Sequence, residues 1–430
     1  MGLLKKVSVA LLPAFLFSGF YFVFAVRGGM PRYLPKHLLW LFSLLVTAAL
    51  VTGHPGLRRI LSRRSREVLV LLTLSYFAAA FGFGHLANAD AHAPELYNFH
   101  REFLSATQGR LFIHPSEHRP EFAIHFSPIF FLLYPFFKWV PSPVTLLFLG
   151  SVALSAAIPA AFRVLRGWWN EPEAILLSTG AGLMPAILSL HMDFSPVRFA
   201  PLAFWLMIEG MERRRWSLWW CGFLIVLVSK ETLLLGVVFF SVVAWIRRMP
   251  TIWIILPGTV GLTTFLIINQ FLIPAFAGTP GQTSTIAAQF GYWGRTAPQV
   301  LIGFLKDPVS VGKALFRLNN AAYLLKMFHG GLFLAPLGSP YLFLGLPEAL
   351  VNMLAGYHPG LIPIDRPGPW TSLLGHYSAV FSTAVWASAC HALRFRAEDS
   401  ETEFTGWQRA RWLFLAVLST MIYPSNAETL

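Results

Sequence analysis

The residues best suited to chemistry are concentrated in one stretch, DAHAPELYNFHREFLSATQGRLFIHPSEHRPEFAIHFSP, from Asp90 to Pro128. It gathers Asp90, Glu95, Glu102, Glu117 and Glu121 with His92, His100, His114, His118 and His125. Carboxylates and imidazoles move protons and are costly to hold beside a bilayer, so their concentration in one place points to an active-site face. A second set is scattered further along: His191, Asp193 and Arg198 in LHMDFSPVRFAP, Lys230 and Glu231 in VSKETLL, then Arg295, His358, Asp365, Arg366, His376 and Tyr377. A lysine between two apolar runs needs a partner. That partner is Glu231 or Asp193 in a structural reading and a phosphate in a functional one. His114 and His118 are four apart, the spacing of one helical face, but Pro115 argues against a regular helix there and solvated loop histidines are the simpler reading. His125 heads an apolar segment with Ser127 and Pro128, and a helix amino terminus favours anions.

The elements that must position these groups are membrane helices. Of 430 residues, 55% are apolar, 15% aromatic and 12% charged. The apolar residues fall into runs of roughly 15 to 25, the length that crosses a hydrocarbon core as helix. The net charge of +13 would suggest nucleic acid in a soluble protein. Here the arginines sit in short loops between apolar runs, where they set topology and meet anionic lipid, so nucleic-acid binding is excluded as a function class. Cys221 and Cys390 are the only cysteines, and both fall inside predicted spans. Neither a disulfide framework nor a thiolate metal site is supported.

In chain order, MGLLKK and the apolar run after it predict an uncleaved first span with a cytoplasmic amino terminus, because the run is long and no small-residue cleavage site follows. Further spans are predicted at 38–51, 68–84, 144–163, 172–190, 196–210, 216–229, 232–246, 251–273, 321–337, 341–356, 373–392 and 411–424, about thirteen in total. The segment from His125 to Trp139 is apolar enough to be counted as another. Counting it places Arg163, Arg166 and every later basic loop on the outer side. Arg58, Arg59, Arg63, Arg64 and Arg66, which precede it, are the strongest inner-side signal, and reading it as an interfacial or re-entrant helix, broken by Pro128 and Pro135, returns Arg163, Arg166, Arg213, Arg214, Arg215, Arg247, Arg248, Arg394, Arg396, Arg409 and Arg411 to the inner side with them. The chain then divides into 1–66, two added helices and a basic loop; 67–273, a transmembrane core with a first outer loop at 86–143; 274–320, a second outer loop with a short helix near 298–305; and 321–430, carboxyl-terminal helices. The acidic run AEDSETE from Ala397 reads as a solvated turn.

Several short motifs occur in a fixed order: HFSP from His125, YPFF, PSPVTLL, DFSP from Asp193, SKE from Ser229, FGYWG from Phe290, GSPYLFLGLPEALVN, and HY at His376 and Tyr377. From about Glu95 to Ser388 the chain resembles a bacterial family of predicted membrane proteins, domain-of-unknown-function family twenty seventy-nine. That family in turn is similar to the C-type (GT-C) glycosyltransferases, polytopic all-α enzymes that take a sugar from a polyprenyl phosphate. The resemblance implies a catalytic carboxylate in the first large outer loop, followed by outer-face juxtamembrane helices. Members usually carry a YDLGIFDQ-like segment where this chain has PELYNFHR. Counted back from Gly109, Glu95 takes the place of the first aspartate and His100 that of the second. Ser195 replaces a histidine in the family's DFHP.

Displacing a phosphate from an anomeric carbon needs a base for the acceptor's proton and a cation for the departing phosphate. Glu95 is the candidate base, with Asp90 as runner-up. Lys230, Arg198 or a divalent metal would meet the phosphate, Asp193 would orient the histidines or the metal, and His100, His125, Glu231, His376 and Tyr377 complete the candidate substrate-binding set. Glu95 could equally cap the short helix after Pro94. The expected partners are the bilayer and a polyprenyl-phosphate-linked sugar donor, and the expected location is the bacterial cytoplasmic membrane. A transporter or flippase for a lipid-linked or anionic solute, or a non-catalytic protein on the same fold, is the alternative. A transporter would want polar groups at the bilayer midplane and paired broken helices, whereas here the charges gather at one face.

Overall fold

The computed structural model describes residue 48 and residues 51–88, 94–191, 193–277, 289–355, 378–395 and 403–420. The first predicted span and most of the second lie outside them, as do Asp90, His376 and Tyr377. The described residues form helices and no named strand, with one isolated antiparallel bridge between Ile113 and Pro120.

The basic segment expected as a loop is itself helical. α1 (Pro55–Arg63) starts with proline at its first position, and His54 Nδ1 accepts the Gly56 amide at 3.1 Å. Proline lacks the amide that a first helical residue would leave unpaired, so it is favoured there. α2 (Ser65–Asn88) then leads to α3 (Pro94–Thr107), α4 (Ile129–Trp139) and α5 (Pro143–Trp168). α5 has 26 residues and rises about 39 Å, long enough to link two ends of the molecule. The chain next runs through α6 (Glu171–Gly182), α7 (Pro185–Ser189), α8 (Ala200–Glu212), α9 (Trp216–Ser229), α10 (Leu234–Ile246) and α11 (Thr251–Ile267), which continues through a π turn into α12 (Ile273–Ala277). The predicted span at 172–190 is thus two helices, interrupted before Pro185.

Among the described residues, three helical stretches are long and apolar enough to cross a membrane: Ser65–Gly82, Pro143–Trp168 and Thr251–Ala277. Ile129–Trp139, Trp216–Ser229 and Glu231–Ile246 are apolar but shorter. At 11 residues α4 rises only about 16 Å, roughly half of a hydrocarbon core. Its Phe130, Leu133 and Phe137 are buried while Phe131, Leu132, Phe136 and Trp139 face outward. A short helix with one apolar face on the protein and another outward suits a membrane interface.

The helices form one large apolar core, and a second, phenylalanine-rich cluster (Phe103, Phe112, Phe122, Phe130, Phe137 and Phe194) lies under the loop between α3 and α5. α8 and α9 approach closely because Gly222 has no side chain. A Cβ there would lie 2.5 Å from the Ala203 carbonyl oxygen.

Arginines collect at one end. Glu209 binds Arg163 Nε at 2.8 Å and Arg213 Nε at 3.4 Å, Glu212 pairs with Arg247, Arg394 donates to the Trp168 carbonyl at 2.8 Å, and Arg58 reaches Glu173 at 3.4 Å. Each belongs to the carboxyl end of α5 or to an element that packs there. The amino-terminal end of α5 lies instead beside Arg198, which donates to Leu147 O at 3.4 Å. α8 starts at the Arg198 end and finishes at Glu212, α9 returns to Lys230, and α10 runs back to Arg247. One end therefore holds the arginine clusters and the other the junctions carrying Asp193, Arg198, Lys230 and Glu231.

The carboxyl-terminal part has α13 (Ala297–Lys306), α14 (Pro308–Leu315), α15 (Leu318–His329), α16 (Leu346–Leu354), α17 (Ala379–Phe395) and α18 (Glu403–Ser419). α13 corresponds to the short helix expected near 298–305. Glu403 of the acidic run begins α18, and the rest of that run lies outside the described residues.

Candidate functional site

The site is built on α3. Glu95, Asn98, Phe99 and Glu102 all line one half-open cavity of about 140 Å³. Their spacing of three, four and seven is that of one helical face. The opposite problem, how this short helix is held, is solved by Asp193. Its carboxylate accepts the Leu96 amide at 2.6 Å and the Glu95 amide at 3.3 Å. Asp193 therefore supplies the capping contacts that a helix start needs, and Glu95 turns its own carboxylate to the cavity.

α3 ends in a glycine-terminated turn. Gly109 has φ +78°, Arg110 N–H donates to Ser105 O at 3.1 Å, and Gly109 N–H donates to Ala106 O at 3.0 Å. This pairing is the Schellman arrangement, which needs a left-handed residue and so favours glycine. The chain is thereby sent back over the helix. Ile113 N–H donates to Ser105 Oγ at 2.7 Å, and Glu121 N–H donates to Phe112 O at 2.9 Å. The return brings His114, Glu121, Ile124, His125 and Ser127 to the same cavity as Glu95 and Glu102.

The far wall comes from the junctions after α7 and α9, through Ser195, Pro196 and Lys230. Glu231 ties that wall to the loop. It is 2% exposed, accepts a hydrogen bond from His125 Nδ1 at 2.9 Å and accepts the Phe126 amide at 3.0 Å. His125 is thus held by Glu231, and burial holds its imidazole below the usual range, with Lys230 nearby acting in the same direction.

The carboxyl groups are crowded in low-dielectric surroundings. Burial pushes Glu102 well above its ordinary range, and the neighbouring charges of Glu121 and Glu95 add to that. Burial raises Glu121 to about 8, although Lys230 opposes the rise. Burial also lifts Asp193 to about 7, with Glu95 adding to it and the Leu96 amide restraining it. For Asp193 the native value lies above the ordinary 3.8, so the stability contributed by its protonated form is fully present below about 3.8 and is lost as pH rises through about 7. Asp193→Asn keeps an oxygen for the two amides and carries no charge. Melting of the purified protein between about pH 5 and about pH 8 should therefore show a flatter decline with pH in Asp193→Asn than in the wild type. An unchanged slope would mean that Asp193 does not titrate in this window.

The candidate residues are distributed as follows. Glu95, His125 and Lys230 line the cavity, while Asp193 and Glu231 hold its walls. Arg198 is fully buried beside Gly150, where a Cβ would come within 2.6 Å of its Cδ, and it is not among the lining residues. His100 lies on another face of α3 and packs edge-on against Phe137 at 5.7 Å. Glu102, His114 and Glu121 belong to the polar loop but not to the site residues expected from the sequence. The seven-residue step from Glu95 to Glu102 was the available signal for Glu102. No comparable spacing points to His114 and Glu121, which arrive by the turn at Gly109.

A comparison with protein families matches residues 95–426 to the family described as predicted membrane protein (DUF2079). No curated protein and no solved structure matches the chain.

Proposed function

The chain belongs to this family of predicted membrane proteins, and we propose, from the resemblance of its motifs and the makeup of its cavity, that it is a GT-C-like glycosyltransferase, which moves a sugar from a polyprenyl phosphate to an acceptor at the outer face of the bacterial cytoplasmic membrane. In this reading about thirteen helices cross the bilayer and α4 lies at its outer interface. The arginine-rich end faces the cytoplasm, in keeping with the bias of basic residues toward that side.

The observation that carries the proposal is the convergence of Glu95, His125 and Lys230 on one cavity, at the end of the helices opposite the arginine clusters. Glu95 removes the proton from the acceptor's hydroxyl or amine as that atom attacks the anomeric carbon. The bond from this carbon to the phosphate oxygen breaks, and the phosphate leaves with the bonding electrons. Lys230 meets the charge that develops on it. A cavity of about 140 Å³ is well above what a single water needs and gives room for a polar group of a substrate beside Glu95 and Lys230. The polyprenyl tail would leave through an apolar groove between helices.

Mass spectrometry of envelope glycans and polyprenyl-phosphate sugars, in cells with and without the gene, tests this. Loss of one glycan substituent with accumulation of its lipid-linked donor is the expected outcome. Identical profiles in cells shown to express the protein would remove the transferase reading.

A further inference from the structure

We propose that Glu102, His114 and Glu121 form a binding site for one divalent transition cation such as Zn²⁺ or Mn²⁺, in the wall of the same cavity. One ligand atom from each residue lies within 4.8 Å of the others. His114 Nε2 is 3.9 Å from Glu102 Oε1. A tetrahedral ion with ligands at about 2.0–2.2 Å requires them to be roughly 3.4 Å apart, so a modest contraction would close the three around it.

A second observation points to a ligand independently of this clustering. Glu102 is fully buried, it lines the cavity, and neither of its carboxylate oxygens has a hydrogen-bond partner. A buried carboxylate with no hydrogen bond is strongly unfavourable unless a cation or a proton satisfies it. The donor set selects the class of ion. One imidazole nitrogen with carboxylate oxygens suits Zn²⁺ or Mn²⁺, whereas magnesium and calcium favour all-oxygen shells.

The site also has a part that must move. His114 Nδ1 accepts the Glu117 amide at 3.2 Å, which places the ring proton on Nε2, the atom facing Glu102. An ion on Nε2 requires that proton on Nδ1 instead, so the contact with the Glu117 amide opens as the ion enters. The segment that gives is the tight turn from His114 to Arg119, in which His118 has φ +54° and Glu117 is exposed. Any role of the ion toward a departing phosphate rests on the transferase reading, whereas the site itself does not.

The test uses the full chain purified in detergent, stripped with a chelator and titrated with Zn²⁺ or Mn²⁺. The expected result is one ion per chain, a rise of several degrees in melting temperature, and altered amide exchange in the turn from His114 to Arg119. Changes to groups around a metal's ligands already weaken binding by about 10–100-fold, so Glu102→Gln and His114→Ala should each lose more than about 100-fold. Glu117→Gln, outside the three, should bind like the wild type. Nitrogen coupling from an imidazole in the spectrum of bound Mn²⁺ would identify His114 through its loss in His114→Ala. Failure of the wild type to bind, equal binding by Glu102→Gln in a preparation with native melting, or Mn²⁺ without nitrogen coupling would overturn the site. Binding that survives alongside unchanged glycan profiles would retain the site and discard the transferase.

Discussion

Glu95→Gln is expected to lower sugar transfer by about 10²–10⁴-fold, the usual contribution of a positioned general base. The amide is nearly the same shape and can still face the cavity. The Leu96 and Glu95 amides remain bound to Asp193, so the start of α3 should be unaffected. In deletion cells carrying Glu95→Gln, the lipid-linked donor should accumulate as in the deletion itself, while the variant protein reaches the wild-type amount and melting temperature. Full complementation would remove Glu95 from the chemistry. The competing role of Glu95 as a helix cap predicts the reverse, a loss of stability with transfer retained. The capping contacts of Asp193 argue against that role, because the amides in question already have their acceptor.

Glu231→Ala should have the largest effect on the fold of the site. It removes the acceptor for both His125 Nδ1 and the Phe126 amide, in a place almost closed to water. Each buried donor left without an acceptor costs about 1–3 kcal/mol, and here two are left at once. A lower melting temperature is expected, together with faster proteolysis of the loop between α3 and α4. Glu231→Gln can accept one of the two hydrogen bonds and should lose distinctly less. Equal stability of the wild type and Glu231→Ala would show that the loop is held by the phenylalanine cluster beneath it and not by this carboxylate.

Much of the fold's plan is legible in the residues. The membrane class follows from the apolar runs, and the gathering of basic groups at one end follows from where the arginines interrupt those runs. The arginine pattern reads His125 to Trp139 as interfacial, and α4 there, at 11 residues, is shorter than a hydrocarbon core requires. Helix lengths were less legible. Pro185 interrupts the run at 172–190, and hydropathy averages over such a break because the flanking residues remain apolar. The basic segment after His54 reads as a loop because charge dominates it, yet its local signals, a cap and a proline at the first position, are those of a helix.

The sequence alone determined that this is a polytopic membrane protein whose acids and histidines collect in one loop, since apolar run length and charge placement act locally and are visible in one dimension. Only the tertiary structure decided which of those groups meet. Asp193 became the holder of α3 and not a member of the cavity wall, Glu231 became the anchor of His125, and Glu102, His114 and Glu121 became neighbours. Those outcomes depend on a left-handed turn at Gly109 and on contacts between residues about a hundred positions apart. Separation of that kind leaves no periodic trace in a single chain, because it is set by how helices pack and not by what any segment prefers on its own.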